Sequence, residues 1–375
     1  MSSVNPLSST GVVPVPRPAA ALRRVSLLLA GHTGRVGSKL VQLIAAERAR
    51  LAAESHLELH VRCAVNRGLA VWHDPVSPWR EERIPRTAGD WPALLRRFAA
   101  APGPKLFVDC TASSEVAAHY LGCFEAGLGV VTANKIANSG SGAHYRALQS
   151  VAAHARLAYR YETTAGAALP LLAACADLRA SGDQVQRVEA VLSGTLSFVF
   201  QRMNQGTAFS AAVREARDQG YAEPHPAEDL KAQDSARKLV ILLREAGIAL
   251  EPEQVRVHGL SPPALDGETD PERYLDGLAA CDPYWAERLE ACQRQDTRLV
   301  CLAQYDGRAA RIGVTSVPAL DAFARLGAGE NLVRVWTRRY HTVPLSIAGP
   351  GAGTEVTAGG LLTDILKAAT LSQRN

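Results

Sequence analysis

The sequence predicts an α/β protein in which a doubly wound parallel sheet is interrupted by an inserted α+β domain. Three observations predict it. From Val25 onward, short apolar runs alternate with amphipathic stretches, the pattern of parallel strands joined by crossover helices. A glycine-rich turn stands at the first strand-to-helix junction. After Pro170 the hydrophobic period changes to two, as in a mixed or antiparallel sheet, before a last helix returns behind a second glycine loop.

In order along the chain, VSLLLA (25–30) reads as a buried strand and GHTGRVG as a turn. SKLVQLIAAERARLA is then a helix with apolar positions at Leu40, Leu43, Ile44 and Leu51. The next strands are LELHVRCAV (57–65), KLFVDC (105–110), GVVTA (129–133) and RLAYRYE (156–162), with helices around 114–126 and 142–154. Period-2 segments follow at VQRVEAVLS (185–193), TRLVCLAQY (297–305), ARIGVTSVP (310–318) and LVRVWTRRY (332–340). Between them lie a helix over 209–219, with Ser210 as N-cap and Gly220 as stop, and another over 230–246 that stops at Gly247. GPGAGTEVTAGGLLTDILKAAT (349–370) reads as a glycine loop leading into a helix. These elements divide the chain into a nucleotide-binding domain of residues 25–160 plus 350–375 and an inserted domain of residues 161–349. Residues 1–24, with four prolines in the first twenty, are expected to be a disordered tail.

Composition narrows the function classes. The chain has 375 residues, 41 basic and 37 acidic side chains, and a net charge of +4, without a block of like charge, so a nucleic-acid partner is not expected. The longest apolar runs fall far short of a membrane span. Seven cysteines at irregular spacing, with no C-x-x-C pair, fit reduced thiols in a cytoplasmic protein rather than zinc or a disulfide frame.

Gly31-His-Thr33-Gly34-Arg35-Val36-Gly37 sits between a buried strand and an amphipathic helix, where a dinucleotide loop belongs. Glycine there allows the tight turn, the approach of a pyrophosphate to backbone amides, and close helix-to-strand packing. The spacing is G-x-x-G-x-x-G, with His32 in place of a fingerprint glycine; the alternative is an ordinary βα turn. Asn66-Arg67 ends the second strand where an NAD site usually places a carboxylate. An arginine there suits a 2′-phosphate and argues for NADP, the alternative being a solvated surface arginine. Lys135, in Thr132-Ala-Asn-Lys135, follows the fourth strand at the carboxyl end of the sheet, where ligands of such folds bind. The densest cluster is GYAEPHPAEDLKAQDSARK (220–238). Asp229 is placed to cap the following helix, on which Ala236, Leu239, Val240 and Leu243 form a core stripe. Asp234 and Lys238 are i,i+4 neighbours: either an exposed ion pair, or a lysine held beside a carboxylate in a partly dry cleft, suited to proton exchange with a carbonyl oxygen.

These residues resemble homoserine dehydrogenase, in particular the dehydrogenase part of the bifunctional aspartokinase/homoserine dehydrogenases without the kinase. The resemblance runs from about Val25 to Lys367 and rests on FVDCT (107–111), TANKIAN (132–138), YETTAGAALP (161–170), LSGTLSF (192–198), GYAEPHPAEDLKAQDSARK and GPGAGTEVTAGG (349–360). It implies a discontinuous Rossmann-type NAD(P)-binding domain and an inserted catalytic and dimerisation domain. The implied reaction is reversible NAD(P)H-dependent reduction of L-aspartate 4-semialdehyde to L-homoserine, a step towards threonine, methionine and isoleucine. Lys238 matches the proposed acid/base; Glu223 and Asp234 match substrate-holding positions, and Asp229 a further active-site carboxylate. Lys135 matches the lysine near the cofactor, with Thr111 in the loop that touches it and Gly351 and Gly353 in the returning glycine loop. Ser193 and Gly194 offer amides near the substrate carboxylate. A monovalent cation, usually sodium, is implied at Glu162 and the carbonyls of Ala165, Ala167 and Leu169. NADP(H) is the expected cofactor, with NAD(H) possible, and a homodimer the expected assembly. No regulatory extension, and hence no direct feedback inhibition by threonine, is expected after the last helix.

His225, Ala227, Glu228 and Lys231 depart from the family pattern, which motivates an alternative: a reductase of another amino-acid aldehyde. An aldehyde-oxidising semialdehyde dehydrogenase would need a cysteine nucleophile with a base, and no cysteine has such a motif. A non-catalytic NADP-binding sensor would have no need of Lys135, Glu223, Asp234 and Lys238 together.

Overall fold

A computed structural model describes residues 22–73 and 81–371; most of the expected N-terminal tail lies outside them. Two sheets organise the chain. The first holds β1 (Arg23–Ala30), β2 (Leu57–Val65), β3 (Leu69–His73), β4 (Glu81–Pro85), β5 (Lys105–Asp109), β6 (Gly129–Thr132) and β7 (Tyr159–Arg160), in the order β4-β3-β2-β1-β5-β6-β7. β2, β1, β5, β6 and β7 run parallel, and β3 and β4 add an antiparallel edge.

The parallel strands read as continuous apolar runs because both faces are covered. Leu28, Ala30, Phe107 and Val130 pack on one face against Trp91, Phe98, Tyr120 and Leu148. Leu27, Leu29, Leu106 and Val108 pack on the other against Leu40 and Ile44 of the helix Arg35–Ser55 and against Leu361 and Ile365 of the helix Thr354–Leu371. The last helix therefore closes the first sheet although it follows the second in sequence.

The second sheet holds β8 (Val185–Val191), β9 (Val255–Val257), β10 (Thr297–Tyr305), β11 (Ala310–Pro318), β12 (Glu330–Thr337) and β13 (Leu345–Pro350), in the order β13-β12-β8-β10-β11-β9. It is mixed, since β11 and β9 pair parallel and the other pairs are antiparallel. Its main core is shared with the helices Gly194–Asn204, Phe209–Asp218 and Gln233–Glu245.

Several local expectations are corrected. The first strand starts at Arg23, and the strand expected over 156–162 shrinks to Tyr159–Arg160. The helix expected over 114–126 breaks into Ser114–Ala117 and Tyr120–Glu125. Ser210 lies inside its helix, which Ala208 precedes as N-cap; Asp282 accepts both the Ser210 amide (2.8 Å) and its hydroxyl (2.7 Å), so a distant carboxylate takes the role assigned to Ser210. None of the seven cysteines forms a disulfide, and no helix among the described residues is long and apolar enough to cross a membrane.

Candidate active site

Strand register sets the position of the site. Ala30 pairs with both Val65 and Asp109, and Asp109 with Thr132, so four strands end level. Gly31, Asn66, Thr111 and Lys135 therefore leave the sheet along one carboxyl edge, the edge at which open α/β sheets bind ligands.

Gly31 turns with φ +82° and donates its amide to the Val65 carbonyl (3.0 Å). The helix Arg35–Ser55 starts after Gly34 with no side-chain cap and no acidic residue in its first turn, leaving amides for an anion. Arg35 and Val36 occupy that first turn, Arg35 exposed and Val36 half-buried. A Cβ on Gly31 would lie 2.8 Å from the Thr111 methyl, and one on Gly37 would overlap the Gly31 carbonyl oxygen. Gly37→Ala is accordingly expected to push helix from strand, with a loss of roughly 1–3 kcal/mol of stability; chemical denaturation and an NADPH titration should show weaker folding and weaker binding together.

A cleft of about 740 Å³ opens beside this loop, lined by Gly31, Thr33, Gly34, Asn66, Arg67 and Thr111 among others. That is room for a large part of a dinucleotide. The Asn66 side-chain oxygen accepts the amides of Gly68 and Leu69 (3.0 and 2.9 Å), so it shapes the turn that presents Arg67. Arg86 is a residue of this cleft that sequence reasoning missed. It enters from the end of the β3–β4 hairpin, and its side chain is 6% exposed, lying over the Trp91 ring at 4.5 Å. Nη1 donates to the Asn66 carbonyl (2.6 Å), while Nε and Nη2 have no hydrogen-bond acceptor among the described residues.

Behind the edge, the fully buried Asp109 accepts from the Thr111 amide (2.7 Å), the Tyr120 hydroxyl (2.6 Å) and the Asn134 side-chain amide (3.1 Å). Burial raises its pKa against those three donors. The network joins the loop carrying Thr111 to the loop carrying Lys135. Cys110 lies nearby, but burial pushes its thiol far up and no base accompanies it, which leaves it a poor nucleophile.

Lys135 meets the inserted domain at the helix Gln233–Glu245. Its Nζ lies 3.4 Å from one oxygen of Asp234, and the Nζ of Lys238 lies 2.9 Å from the other. Lys238 also donates to the Leu192 carbonyl (2.8 Å) and is buried, as are Ile241 and Leu242, so the lysine end of the pair is covered and the reading of a lysine beside a carboxylate in a partly dry cleft fits better than a fully exposed pair. Asp234 keeps about half of its side chain exposed. Its place in the cleft works to raise its pKa, yet the ammonium groups of Lys238 and Lys135 prevail and hold it well below the usual carboxylate range. A carboxylate whose pKa is depressed on folding adds stability above the unfolded value, about pH 4, that disappears as pH falls through the folded one. Asp234→Asn should therefore lower stability at neutral pH, with the gap to wild type closing only under strongly acidic conditions; urea melts across the acid range would measure it.

Asp229 does not cap the helix after it: Ala232, at φ +54°, precedes that helix with no side-chain cap. Its two oxygens instead accept the Thr195 hydroxyl and the Glu223 amide, both at 2.8 Å, and burial raises its pKa against those donors. Asp229 thus fastens the loop bearing Glu223 to the start of the helix Gly194–Asn204. The exposed Glu223 carboxylate has no hydrogen bond or ion pair among the described residues. Ser193 caps the helix by accepting the Leu196 amide (3.2 Å), and Gly194 packs near Gly329. Gly351 donates to the Gly329 carbonyl (3.1 Å) and presses on Asn331, while the Gly353 carbonyl accepts the Thr357 amide (3.0 Å) at the start of the last helix, and neither glycine is among the residues lining the nucleotide-side cleft.

Glu162 accepts the amides of Leu172 and Ala173 (2.7 and 2.9 Å) at the start of the helix Leu171–Ala180, and its own amide is held by Asp364 (2.9 Å), a buried residue that sequence reasoning missed. The adjoining turn is tight, with Gly166 at φ +80° and Ala167 at φ +55°, and the Leu169 carbonyl accepts the Leu171 amide. No group of three or more His, Cys, Asp or Glu side chains suited to a metal ion occurs among the described residues.

The departures from the family pattern make their contacts elsewhere. A ring nitrogen of His225 lies 3.0 Å from the Glu268 carbonyl and the ring packs on Tyr274, Ala227 is buried, and Glu228 pairs with Lys231 at 3.4 Å on the surface.

Comparison with known proteins agrees with this geometry. A homoserine dehydrogenase family profile matches residues 170–366, and a profile for the homoserine dehydrogenase NAD-binding domain matches residues 33–162. The chain is 33% identical over 346 residues to a bifunctional aspartokinase/homoserine dehydrogenase of Zea mays, covering 90% of this chain but only 38% of that one. It is 34% identical over 283 residues to the homoserine dehydrogenase of Schizosaccharomyces pombe, covering 73% of this chain and 75% of that one. Among solved structures, a Candida auris protein of unknown function superposes with a TM-score of 0.84 at 29% identity, over 93% of this chain and 98% of that one. A hyperthermophilic archaeal homoserine dehydrogenase in complex with NADPH shares the fold, with a TM-score of 0.69 at 21% identity over 92% and 98% of the two chains. The two profiles together take in both halves of the site, and the chain belongs to the homoserine dehydrogenase family.

Proposed function

We propose that this protein is a homoserine dehydrogenase that reversibly reduces L-aspartate 4-semialdehyde to L-homoserine with NADPH, NADH being the weaker donor, in threonine, methionine and isoleucine biosynthesis. One observation carries the reading. Lys238 has three N–H donors, of which Asp234 and the Leu192 carbonyl take two, so one proton remains for a substrate oxygen in the cleft beside Lys135.

Bound NADPH supplies the hydride that the aldehyde carbon accepts. Lys238 gives its free proton to the oxygen as it becomes an alkoxide, and Lys135 adds positive potential there. Asp234, paired with both ammonium groups, holds them in place. The Glu223 carboxylate suits the substrate ammonium, while amides at Ser193 and Gly194, at a helix N-terminus, suit its carboxylate. Arg67 and Arg86 favour NADPH through its 2′-phosphate. The Glu162 carboxylate and the carbonyls of Ala165 and Ala167, which accept no hydrogen bond among the described residues, fit a monovalent cation such as sodium together with Leu169. That ion would rigidify the crossing between the sheets. The reading includes a 25–160 plus 350–375 nucleotide domain, a 161–349 catalytic domain, a homodimer and a cytoplasmic setting.

His225 bonds to the Glu268 carbonyl and Glu228 to Lys231 rather than to Lys135, Asp234 or Lys238, which favours the ordinary aldehyde over another substrate. Purified protein mixed with NADPH and L-aspartate 4-semialdehyde should consume both and form homoserine. NADPH binding without consumption of this aldehyde, while another amino-acid aldehyde is reduced, would replace the substrate assignment.

A further inference from the structure

A second cavity, of about 410 Å³, lies in the inserted domain between the loop 258–263 and the helix Asp282–Arg294. Its chemistry is one-sided. Among the described residues no carboxylate lines it, while Arg288, His258 and Ser261 do, over a floor that includes Pro262, Tyr284 and Trp285. The Arg288 guanidinium lies over the Tyr284 and Trp285 rings (5.7 and 5.2 Å), donates one hydrogen bond, to the Tyr284 hydroxyl (3.3 Å), and forms no ion pair among the described residues. Most of its N–H fork is therefore unused. The Ser261 oxygen accepts the Tyr274 hydroxyl (2.7 Å), which leaves its own proton to donate. Donors without acceptors, set on aromatic and proline surface, select an anion with an apolar body.

The same loop touches the active-site segment twice. The Leu260 amide donates to the carbonyl of Leu230 (2.7 Å), the residue after Asp229, and Gly259 runs so close that a Cβ would meet the Leu230 oxygen at 3.2 Å and Lys231 at 3.3 Å. Tyr274, bonded to Ser261, packs its ring on His225 at 5.0 Å. A ligand that shifts or stiffens 258–263 therefore acts on the loop that presents Glu223 and Asp229.

We propose that this cavity is an effector site for a small organic carboxylate with an aromatic or apolar body, coupled to the substrate loop 221–231. The coupling to substrate rests on the dehydrogenase reading; the binding does not. The probe is 4-fluorobenzoate, followed by fluorine NMR, with 4-fluorobenzyl alcohol as its uncharged counterpart. Saturable binding of the acid is expected, at least about tenfold weaker in Arg288→Gln. Equal binding of the alcohol, or an unchanged affinity in the variant, overturns the site. Saturating probe should slow amide hydrogen exchange across 221–231 in wild type and leave Arg288→Gln unaffected; unchanged exchange in wild type overturns the coupling. The KM for the aldehyde should move with it by about fivefold. Neither binding nor exchange depends on turnover, so failure of the dehydrogenase reading would show separately, as absent NADPH consumption.

Discussion

Lys238→Ala is expected to lower kcat by about a thousandfold while leaving the NADPH dissociation constant within about twofold, the size of effect a positioned proton donor supplies. The two readouts separate because the residues lie on different supports. The nucleotide cleft is built at the edge of the first sheet by Gly31, Thr33 and Thr111. Lys238 stands on a helix of the inserted domain and reaches that sheet's edge through Asp234 and Lys135. Truncation also strips a donor from Asp234 and from the Leu192 carbonyl, so some stability is lost, and a melt must accompany the kinetics. Lys238→Arg supplies the control: it restores a cation for Asp234, but a guanidinium hardly releases its proton, so folding should recover while turnover does not. Full turnover in Lys238→Ala would mean that the proton comes from elsewhere, Lys135 being the next group to examine.

The parts of the molecule that were legible in the sequence are those where one physical signal dominates. Strands Leu57–Val65 and Thr297–Tyr305 fall where their apolar runs place them, because burial on both faces leaves little choice of side chain, and strand Ala310–Pro318 and the helix Gly142–His154 fall where their hydrophobic periods place them. The β3–β4 hairpin was not legible: Glu81–Pro85 is an edge strand, charged and exposed, with no apolar alternation to betray it. The strand expected over 156–162 ends at Arg160, where Tyr161 turns the backbone into a short helical turn at Glu162–Thr164 and its hydroxyl bonds the buried Glu245, a partner 84 residues away. Within the site, Lys135, Asp234 and Lys238 could be nominated from spacing and resemblance, and the structure brings their charges together. Asp229 could be nominated but its task could not, since Thr195 and the Glu223 amide reach it only through the fold. Asp364 and Arg86 carry no local signal at all: one works across 202 residues, and the other gains meaning only when the hairpin folds it back onto Asn66.

Arg86→Ala combined with Arg67→Ala is expected to lower kcat/KM with NADPH by about a hundredfold and to change that with NADH by no more than about threefold, reversing the preference. A charge-assisted contact to an anion contributes about 1.5–3 kcal/mol, or one to two orders of magnitude each, so about a hundredfold is the lower end of what two such contacts provide, as fits one of them being hydrated. The two arginines are not equivalent. Arg67 is exposed and keeps its hydration in the free protein, so it adds attraction at little prior cost. Arg86 is held over Trp91 with no hydrogen-bond acceptor for Nε or Nη2 among the described residues, Nη2 lying 3.9 Å from a Glu115 carboxylate oxygen, and a 2′-phosphate would supply the acceptors that the buried donors lack. Arg86→Ala alone should therefore account for most of the loss, and Arg67→Ala alone for about tenfold or less, with the remaining affinity sensitive to salt. The Arg86 variant also frees the Asn66 carbonyl and with it the turn at Gly68. Arg86→Lys separates the two roles, since an ammonium keeps the charge but lacks the planar fork. Partial recovery with NADPH in that variant assigns the loss to phosphate recognition, whereas equal losses with both nucleotides would assign Arg86 to the turn.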